Sequence, residues 1–349
     1  GGSAKGGGWG TPRWNSAHPS RPAGKMRGLL GPPPPGGVGA SILSVTREVS
    51  QLPNALAIHL NWHQLWRTFF KSYDVVHFNF SRPYKRLVGV LIARLAGSRV
   101  IHTIHSNNFE FDSIANKIAI ALSHGFILVN ERIFSEFSSR TSKPIALISP
   151  ILAPETDSKP ITEKKIDMSI LGATRGFKVA AVYARGKDYR DEQETYGFLF
   201  VANLLPKLRE LNVFVIYLDV ISAYTTEELD PHGSGNFEHV KKGVDFQHLL
   251  KCIDVYLRPT ATDGNSVAVL EAIQSGTPVV ASDAVPRPEG VYVYESHDAE
   301  AFLSAIDRAL RSAPLAEAQQ QSRRQPNLSS VRDYMDFINL VTTSKSISP

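Results

Sequence analysis

Short apolar runs alternate with amphipathic stretches from Met26 to the C-terminus, and this alternation constrains the fold more than any other feature of the sequence. Short apolar runs bounded by turn residues predict buried strands, and amphipathic stretches of about 10–15 residues predict helices. Strands that alternate with helices require crossover connections, which produce mostly parallel sheets covered on both faces. The sequence therefore predicts an α/β fold.

The alternation is interrupted in the middle of the chain. The segment 150–165 contains three prolines and mixed charges, as is typical of an interdomain linker. We therefore predict two Rossmann-like domains, 26–155 and 166–317, followed by a C-terminal helix at 327–343. The predicted strands are 27–31, 74–78, 100–104, 126–129, 179–183, 213–218, 253–257 and 278–282, and the predicted helices are 40–52, 83–96, 196–211, 246–252, 266–275, 299–311 and 329–342.

Residues 1–25 are rich in Gly, Pro and Ser and have no helical or strand period, so we expect a disordered tail. They carry four basic residues and no acidic ones: Lys5, Arg13, Arg21 and Lys25. Because the net charge of the whole chain is +5, the rest of the protein is close to neutral. The charge balance therefore does not support a nucleic-acid partner.

Composition narrows the class of protein further. The chain of 349 residues is 42% hydrophobic and 20% charged, which is typical of a soluble globular protein. No apolar run approaches the roughly 20 residues that span a bilayer, so we expect a cytoplasmic protein. With Cys252 as the single cysteine, an intrachain disulfide and a cysteine-built zinc site are excluded. No His/Asp/Glu cluster has metal-ligand spacing, so we expect no bound metal.

Ligands of open parallel sheets bind at the carboxyl ends of the strands, so the loops after the strands carry the functional information. The first such loop, 31–39 (GPPPPGGVG), leads into a predicted helix. Gly36, Gly37 and Gly39 permit close backbone approach, and a helix N-terminus favours an anion. Its spacing is not the GxGxxG of a dinucleotide site. The alternative is a glycine-rich turn without a ligand.

The second loop follows the predicted strand at 100–104. His105 lies at the strand end, where it could bond a sugar hydroxyl or stabilise charge at a reaction centre. His102 points to the face opposite Thr103, and we predict that it packs between helix and sheet. For His105 too, a structural role remains the alternative.

The third loop, between a strand ending near Leu257 and a helix beginning near Ser266, carries two acidic residues eight positions apart. Asp263 lies in the loop and Glu271 lies within the helix. A carboxylate accepts two hydrogen bonds from a vicinal diol, which is how acidic side chains hold ribose. The alternative is a capped helix with one exposed glutamate.

Residues 253–290 (IDVYLRPTATDGNSVAVLEAIQSGTPVVASDAVPRPEG) resemble the donor-binding signature of the family-4 retaining glycosyltransferases. That signature has paired acids spaced E-x7-E, and here Asp263 replaces the first glutamate while Glu271 keeps the second. The loop 31–39 and the strand end at His105 resemble elements of that family's N-terminal domain. The resemblance implies the GT-B fold, in which two Rossmann-like domains face each other across a cleft and a C-terminal helix crosses back to the N-terminal domain.

The resemblance also implies a donor site in the third loop. Glu271 would bind the nucleotide ribose, and Asp263 would hold the transferred sugar. The backbone amides of Gly264, Asn265 and Ser266 would assist Asp263. In the N-terminal domain, the resemblance places the second loop's histidine, His105, over the reacting carbon, and brings the glycines of the first loop, Gly36, Gly37 and Gly39, close to the diphosphate and the acceptor.

Members of that family cradle the diphosphate with an Arg and a Lys from the start of the C-terminal domain. In this chain the matching loop offers Arg185 and Lys187 as candidate catalytic cations. The chain departs from the family here, because Tyr196-Gly197 stands where the family often has Lys-Gly. A solvated loop charge is the alternative for each cation.

The implied reaction is hexosyl transfer with retention, from a UDP- or GDP-sugar, with no further cofactor. Two cations would stabilise the leaving diphosphate, which could itself take the acceptor proton. The acceptor would be a saccharide or a lipid-linked saccharide of the kind used in bacterial polysaccharide assembly.

The region 82–99 combines five basic residues with an apolar stretch, which would suit peripheral contact with the inner face of the cell membrane. The alternative is an ordinary helix that covers the sheet with Leu87, Val88, Leu91, Ile92 and Leu95.

Three rival functions remain to be weighed. A sugar-nucleotide epimerase of the same fold is disfavoured by the acid spacing. A catalytically silent protein that binds a nucleotide sugar remains an alternative because of the irregular Arg/Lys region and the compact N-terminal domain. A nicotinamide oxidoreductase is disfavoured because no GxGxxG motif is present.

Overall fold

The computed structural model describes residues 27–30, 37–51, 57–60, 62–69, 73–105, 109–150, 174, 176–190, 192–263, 266–311 and 326–343. The predicted tail and all of the predicted linker except Pro150 lie outside these residues. The described residues form two six-stranded sheets with helices on their faces, and a two-stranded hairpin. The predicted α/β class is confirmed.

The first half of the chain forms the first sheet. Its strands are β1 (Arg27–Leu30), β2 (Ala57–Leu60), β3 (Val75–Phe78), β4 (Arg99–Ile104), β5 (Gly125–Leu128) and β6 (Ile145–Leu147). Its helices are α1 (Gly37–Gln51), a 3₁₀ segment (Trp62–Phe69), α2 (Pro83–Leu95), α3 (Ile114–Leu122) and α4 (Glu131–Ser138).

The second half forms the second sheet and the hairpin. Its strands are β7 (Lys178–Ala184), β8 (Tyr189–Arg190), β9 (Gln193–Glu194), β10 (Val213–Asp219), β11 (Phe237–Val240), β12 (Val255–Arg258), β13 (Val279–Ser282) and β14 (Tyr292–Tyr294). Its helices are α5 (Phe198–Asn203), α6 (Leu205–Glu210), α7 (Thr226–Leu229), α8 (Phe246–Cys252), α9 (Val267–Gln274), α10 (Ala299–Arg311) and α11 (Pro326–Thr343).

All pairings within the two large sheets are parallel. The first sheet has the order β2-β1-β3-β4-β5-β6, and the second has the order β11-β10-β7-β12-β13-β14. In the second sheet, the chain therefore adds strands first on one side of β7 and then, from β12 onward, on the other side. Such a reversal of strand order opens a crevice at the carboxyl ends of the two strands, where doubly wound folds bind their ligands.

Side chains that alternate along each strand separate the core into layers on either side of each sheet. In the second half, β7 directs Ala180 and Val182 to the layer under α5, α6 and α10, and Val179 and Ala181 to the layer under α8 and α9. These strands are buried on both faces, which is why they read as continuous apolar runs.

Polar residues at the predicted loop ends fix where several helices begin. Asn130, Asp245 and Ser266 each accept a hydrogen bond from the backbone N–H three residues on, at the starts of α4, α8 and α9. Thr225 forms a capping box with Glu228 at the start of α7. Such caps satisfy N–H groups that have no acceptor within the helix.

The C-terminal helix α11 packs on the first sheet, as the fold prediction requires. Tyr334, Phe337 and Ile338 lie in one core cluster with Val45 of α1 and Ile127 of β5. A helix that follows the second half in sequence therefore completes the core of the first half.

The structure differs from the predicted elements in two respects. The single helix predicted at 196–211 is two short helices, α5 and α6, which meet at Leu204 before Pro206. A proline inside a helical pattern removes a backbone donor and breaks the helix. Several elements were not predicted, among them β2, α3, α4, β6, α7, β11 and β14.

Candidate functional site

The reversal of strand order between β7 and β12 brings two strand ends together in the second half. β7 ends in Tyr183 and Ala184 and is followed by Arg185, while β12 ends in Arg258. Burial has the largest effect on the pKa of Tyr183 and raises it. The charges of Arg185 and Arg258 lower this pKa, whereas the charge of Glu271 raises it. The crevice thus contains cations, a carboxylate and a phenol.

Asp263 lies at the centre of a buried ion cluster. Its carboxylate accepts two hydrogen bonds of 3.0 Å from the Nε and Nη2 of Arg258, and one of 2.9 Å from the Nη1 of Arg287. Thr260 Oγ1 lies 3.4 Å from the same carboxylate. Arg287 also donates to the backbone oxygen of Ser282, 2.8 Å away. The cluster ties the loop after β12 to the loop after β13.

The charges of the two arginines determine the protonation state of Asp263. Burial would raise the pKa of Asp263, but the charges of Arg258 and Arg287 and their hydrogen bonds outweigh it and lower the pKa. Asp263 is therefore ionised at neutral pH. Because two guanidinium groups share one carboxylate, the cluster carries one net positive charge beneath the crevice.

Glu271 lies four residues into α9 and is partly buried. Burial raises the pKa of Glu271 to about 7. Among the described residues it forms no salt bridge, in contrast to Asp263. A partly buried carboxylate of this kind can accept hydrogen bonds from a diol that enters the crevice.

Tyr196 and Gly197 join the start of α5 to the loop after β12. Gly197 has φ 74°, and a Cβ built on it would lie 2.0 Å from the backbone oxygen of Pro259. The Arg258 guanidinium lies 5.7 Å from the ring centre of Tyr196, over its face. Only glycine allows the backbone to approach this closely, so the Tyr-Gly pair holds the loop that carries Asp263.

The two predicted diphosphate cations have different surroundings. Arg185 is exposed. Lys187 forms a salt bridge with Glu228 of α7, and the hydrogen bond to Glu228 raises the pKa of Lys187. Arg185 is thus the more accessible of the two cations.

The loop between Asp263 and α9 is only partly described. Gly264 and Asn265 lie outside the described residues, while Ser266 caps α9 through its side chain. The helix N-terminus that the sequence predicted is therefore present, and it directs backbone N–H groups toward the loop.

In the first half, His105 lies at the end of β4, beside the end of β3. Its Nε2 is 3.0 Å from the Oδ1 of Asn79, which immediately follows β3. The neighbouring His77 bridges two elements: its Nδ1 is 3.1 Å from the Oη of Tyr334 in α11, and its Nε2 is 2.7 Å from the Oγ1 of Thr103. These side chains line a cavity of about 30 Å³.

Burial governs the protonation of both histidines. It lowers the pKa of His105 to about 4. Burial, with a smaller contribution from His105, lowers the pKa of His77 to about 3. Both imidazoles are therefore neutral at pH 7 and can serve as hydrogen-bond donors and acceptors, whereas neither is a cation there.

The remaining predicted positions of the first half divide into three cases. Gly36 lies outside the described residues, whereas Gly37 and Gly39 lie in the first turn of α1 and not in a loop before it. The helix begins about three residues earlier than predicted. His102 is buried and stacks between Phe78 and Phe126, with ring centres 5.3 and 5.7 Å away, as predicted.

Sequence reasoning missed the residues that hold the predicted ones in place. Arg258 ends a strand directly before the predicted loop, and that position was the one available signal. No sequence pattern indicated the other four residues, because each acts through a contact between distant parts of the chain: Arg287, Asn79, His77 and Tyr334.

The described residues contain no group of three or more His, Cys, Asp or Glu side chains placed to hold a metal ion. Nor do they contain a helix long and apolar enough to cross a membrane.

The second half of the chain is similar in sequence to a known protein family. Residues 190–312 match the family described as glycosyl transferases group 1. This segment contains Asp263, Glu271, Arg258 and Arg287. No curated protein matches the chain in sequence.

Solved structures resemble about nine-tenths of the chain. HepE from Anabaena, in complex with UDP and glucose, has a TM-score of 0.63 at 13% identity over 89% of this chain and 98% of that one. A UDP-forming trehalose-phosphate synthase from Burkholderia xenovorans has a TM-score of 0.62 at 12% identity, covering 92% and 100%. A glycosyltransferase from Rickettsia africae has a TM-score of 0.64 at 13% identity, covering 92% and 100%. The chain therefore has the GT-B fold of these structures, and its residues 190–312 resemble the glycosyl transferases group 1 family.

Proposed function

We propose that this protein is a retaining glycosyltransferase that moves a sugar from a UDP-sugar to a saccharide or lipid-linked saccharide in polysaccharide or glycan biosynthesis. The observation that carries the proposal is Glu271, a partly buried carboxylate with a pKa of about 7, in a glycosyltransferase domain and eight residues after Asp263. A ribose diol that donates to Glu271 would stabilise its ionised form and offset the cost of its burial.

The choice of UDP over GDP rests on the structural neighbours. HepE was crystallised with UDP and with UDP-glucose, and the trehalose-phosphate synthase is UDP-forming. Their fold matches that of this chain over about nine-tenths of its length.

In the proposed mechanism, positive charge stabilises the leaving UDP. The accessible Arg185 would contact the diphosphate. Arg258, Arg287 and Asp263 together carry one net positive charge, which would stabilise the negative charge of the diphosphate in the crevice. Asp263, engaged by both arginines, would orient the loop that binds the transferred sugar. The neutral His105 would bond a sugar hydroxyl, and the leaving phosphate would take the acceptor proton.

A second candidate is a silent protein that binds a nucleotide sugar without transferring it. The observation that favours it is the salt bridge between Lys187 and Glu228, which occupies one of the two expected diphosphate cations. An assay of UDP release from UDP-sugars separates the candidates, because a silent protein binds the donor but releases no UDP.

The test of the donor site is a thermal-shift panel with UDP, GDP, ADP and their sugar conjugates. A ligand that binds only the folded state raises Tm. We expect UDP and one UDP-sugar to raise Tm for the wild type and for Glu210→Ala, an exposed control in α6, but not for Glu271→Ala. Absence of a shift with every nucleotide at millimolar concentration would contradict the donor site.

A further inference from the structure

The helices α2 and α3 expose several large apolar side chains. Six large apolar or aromatic side chains on the two helices are exposed: Tyr84, Val88, Leu91, Leu95, Ile114 and Ile118. Leu95 is 78% exposed and Ile114 is 75% exposed. On each helix these residues follow a spacing of three or four, so each helix carries one apolar stripe.

This corrects one of the two interpretations of 82–99. Val88, Leu91 and Leu95 do not cover the sheet. The positions of α2 that are buried are Arg86, Gly89, Val90 and Ala93. Gly89 allows the close packing, because a Cβ there would lie 2.7 Å from the ring of Phe78 in β3.

The two stripes lie on one side of the molecule. Val90 and Ala93 of α2 and Ala119 of α3 lie in the same core cluster, so both helices cover the same face of the first sheet. The helices also contact each other. Their exposed stripes therefore lie on the same side of the molecule and point away from the sheet, and we call the surface that carries them the helix-pair surface.

An aromatic residue extends the helix-pair surface. The 3₁₀ segment contacts α2, and its Leu65 lies in the same core cluster while its Trp66 is exposed. With Tyr84, this gives the surface two amphipathic aromatic side chains. Trp and Tyr are enriched where proteins meet the headgroup region of a bilayer.

The charges around the helix-pair surface are predominantly positive. Arg82, Lys85, Arg94 and Lys117 lie on or next to its helices, and neither helix contains an acidic residue. Glu110 and Asp112 precede α3, with Asp112 3.8 Å from Lys117. Arg86, part of the predicted basic face, does not contribute because it is buried and bonds Asn116 and the backbone oxygen of Phe80.

We propose that the helix-pair surface docks on an anionic lipid bilayer. Apolar stripes would enter the acyl boundary while the basic side chains meet the headgroups. A second copy of the chain fits less well, because a twofold contact would oppose each basic group with others like it.

Docking would also orient the site. The N-terminal ends of α2 and α3 follow β3 and β4, whose carboxyl ends hold Asn79 and His105. Tyr84 and Ile114 therefore lie at the end of the helix pair that borders the candidate acceptor side. A lipid-anchored saccharide would reach His105 from the membrane; this assignment of the acceptor rests on the proposed function, whereas the docking itself does not.

The test is cosedimentation with vesicles of phosphatidylcholine, with and without phosphatidylglycerol, at low and high salt. We expect binding to the anionic vesicles only, weakened by salt because the charge attraction is screened. The double variant Leu95→Asp/Ile114→Asp should bind at least about tenfold less, because it places charge where apolar side chains must enter the bilayer. Arg82→Ser/Lys117→Ser should lose preference for the anionic vesicles.

One control variant and two control measurements separate membrane docking from folding and from donor binding. Val293→Asp, at an exposed apolar position of β14, should bind vesicles like the wild type. Both double variants should keep the wild-type Tm and its shift with UDP, measured without vesicles, so failure of the donor site is read separately. The proposal is overturned if the wild type stays in the supernatant, if Leu95→Asp/Ile114→Asp still binds, or if that variant instead dissociates a dimer that binds no vesicles.

Discussion

Asp263 and Arg287 are 24 positions apart in the sequence, yet Oδ2 of Asp263 lies 2.9 Å from Nη1 of Arg287. The pair joins the loop after β12 to the loop after β13, and Arg258 completes it from the strand end. The carboxylate that the sequence singled out as a ligand for the sugar is thus also the anion that holds two buried arginines together.

We expect Asp263→Asn to destabilise the protein by about 3–5 kcal/mol, because it leaves two buried guanidinium groups without their counter-charge. Urea unfolding at pH 7 measures the change. Asp307→Asn is the matched control, since Asp307 forms an exposed pair with Arg311 and should change stability little. Equal stability of both variants would show that the buried cluster is not stabilising.

The lowered pKa of Asp263 also predicts an acid limit. A carboxylate whose pKa is lower in the folded state stabilises that state above its unfolded pKa of about 4, and this contribution is lost as pH falls through the folded value. The wild type should therefore lose stability below about pH 4. Asp263→Asn should lose less over the same range, as measured by urea unfolding at several pH values.

Glu271 makes folding stability depend on pH in the opposite direction, because its pKa of about 7 lies above the unfolded value. Between about pH 4.5 and 7 the folded state binds more protons than the unfolded one, so stability falls as pH rises through this window. Glu271→Gln removes the dependence, and we expect it to be about 1–3 kcal/mol more stable than the wild type at pH 8.

The same group predicts pH-dependent donor binding. In the proposed donor site a ribose diol would donate to the ionised carboxylate, so the affinity for UDP-glucose should rise as pH increases through about 7. UDP-glucose is the suitable ligand for calorimetry, because its diester phosphates keep their charge in this range. In Glu271→Gln the affinity should be lower and flat with pH, and a retained pH dependence would assign the titration to another group.

Gly197 and Gly233 form a matched pair for testing the contact with Pro259. Both have left-handed backbone, with φ 74° and 63°, so alanine costs about 1–2 kcal/mol at each through the backbone alone. A Cβ at Gly197 would lie 2.0 Å from the Pro259 oxygen, whereas one at Gly233 would have nothing within 4 Å. We expect Gly197→Ala to cost about 1–3 kcal/mol more in urea unfolding.

If the proposed function is right, His105→Ala should lower kcat for sugar transfer by about 10²-fold, because His105 would bond the reacting sugar. The shift of Tm with UDP should not change. Because the wild-type imidazole has a pKa of about 4, the kcat profile between pH 5 and 8 should show no titration of His105. Asn79→Ala, which removes the partner 3.0 Å away, should lower kcat less than His105→Ala.

The sequence pattern was sufficient where local burial defines the element. The run at 213–218 is apolar throughout because it forms a strand covered on both faces. The pattern was insufficient for the helix 83–96, where apolar residues occur on every side. Val88, Leu91 and Leu95 are as apolar as Val90 and Ala93, so the periodicity did not indicate which group faces the sheet.

By itself, the sequence determined the α/β class, the approximate ends of the strands before His105 and before the loop that carries Asp263, and the helix that carries Glu271, because these follow from short-range periodicity and turn residues. Only the tertiary structure decided that Asp263 is held by Arg258 and Arg287, that Tyr334 reaches His77 from the C-terminal helix, and that α2 turns an apolar stripe to solvent. The physical reason is that burial and charge pairing depend on contacts between residues far apart in the chain, and these have no local pattern.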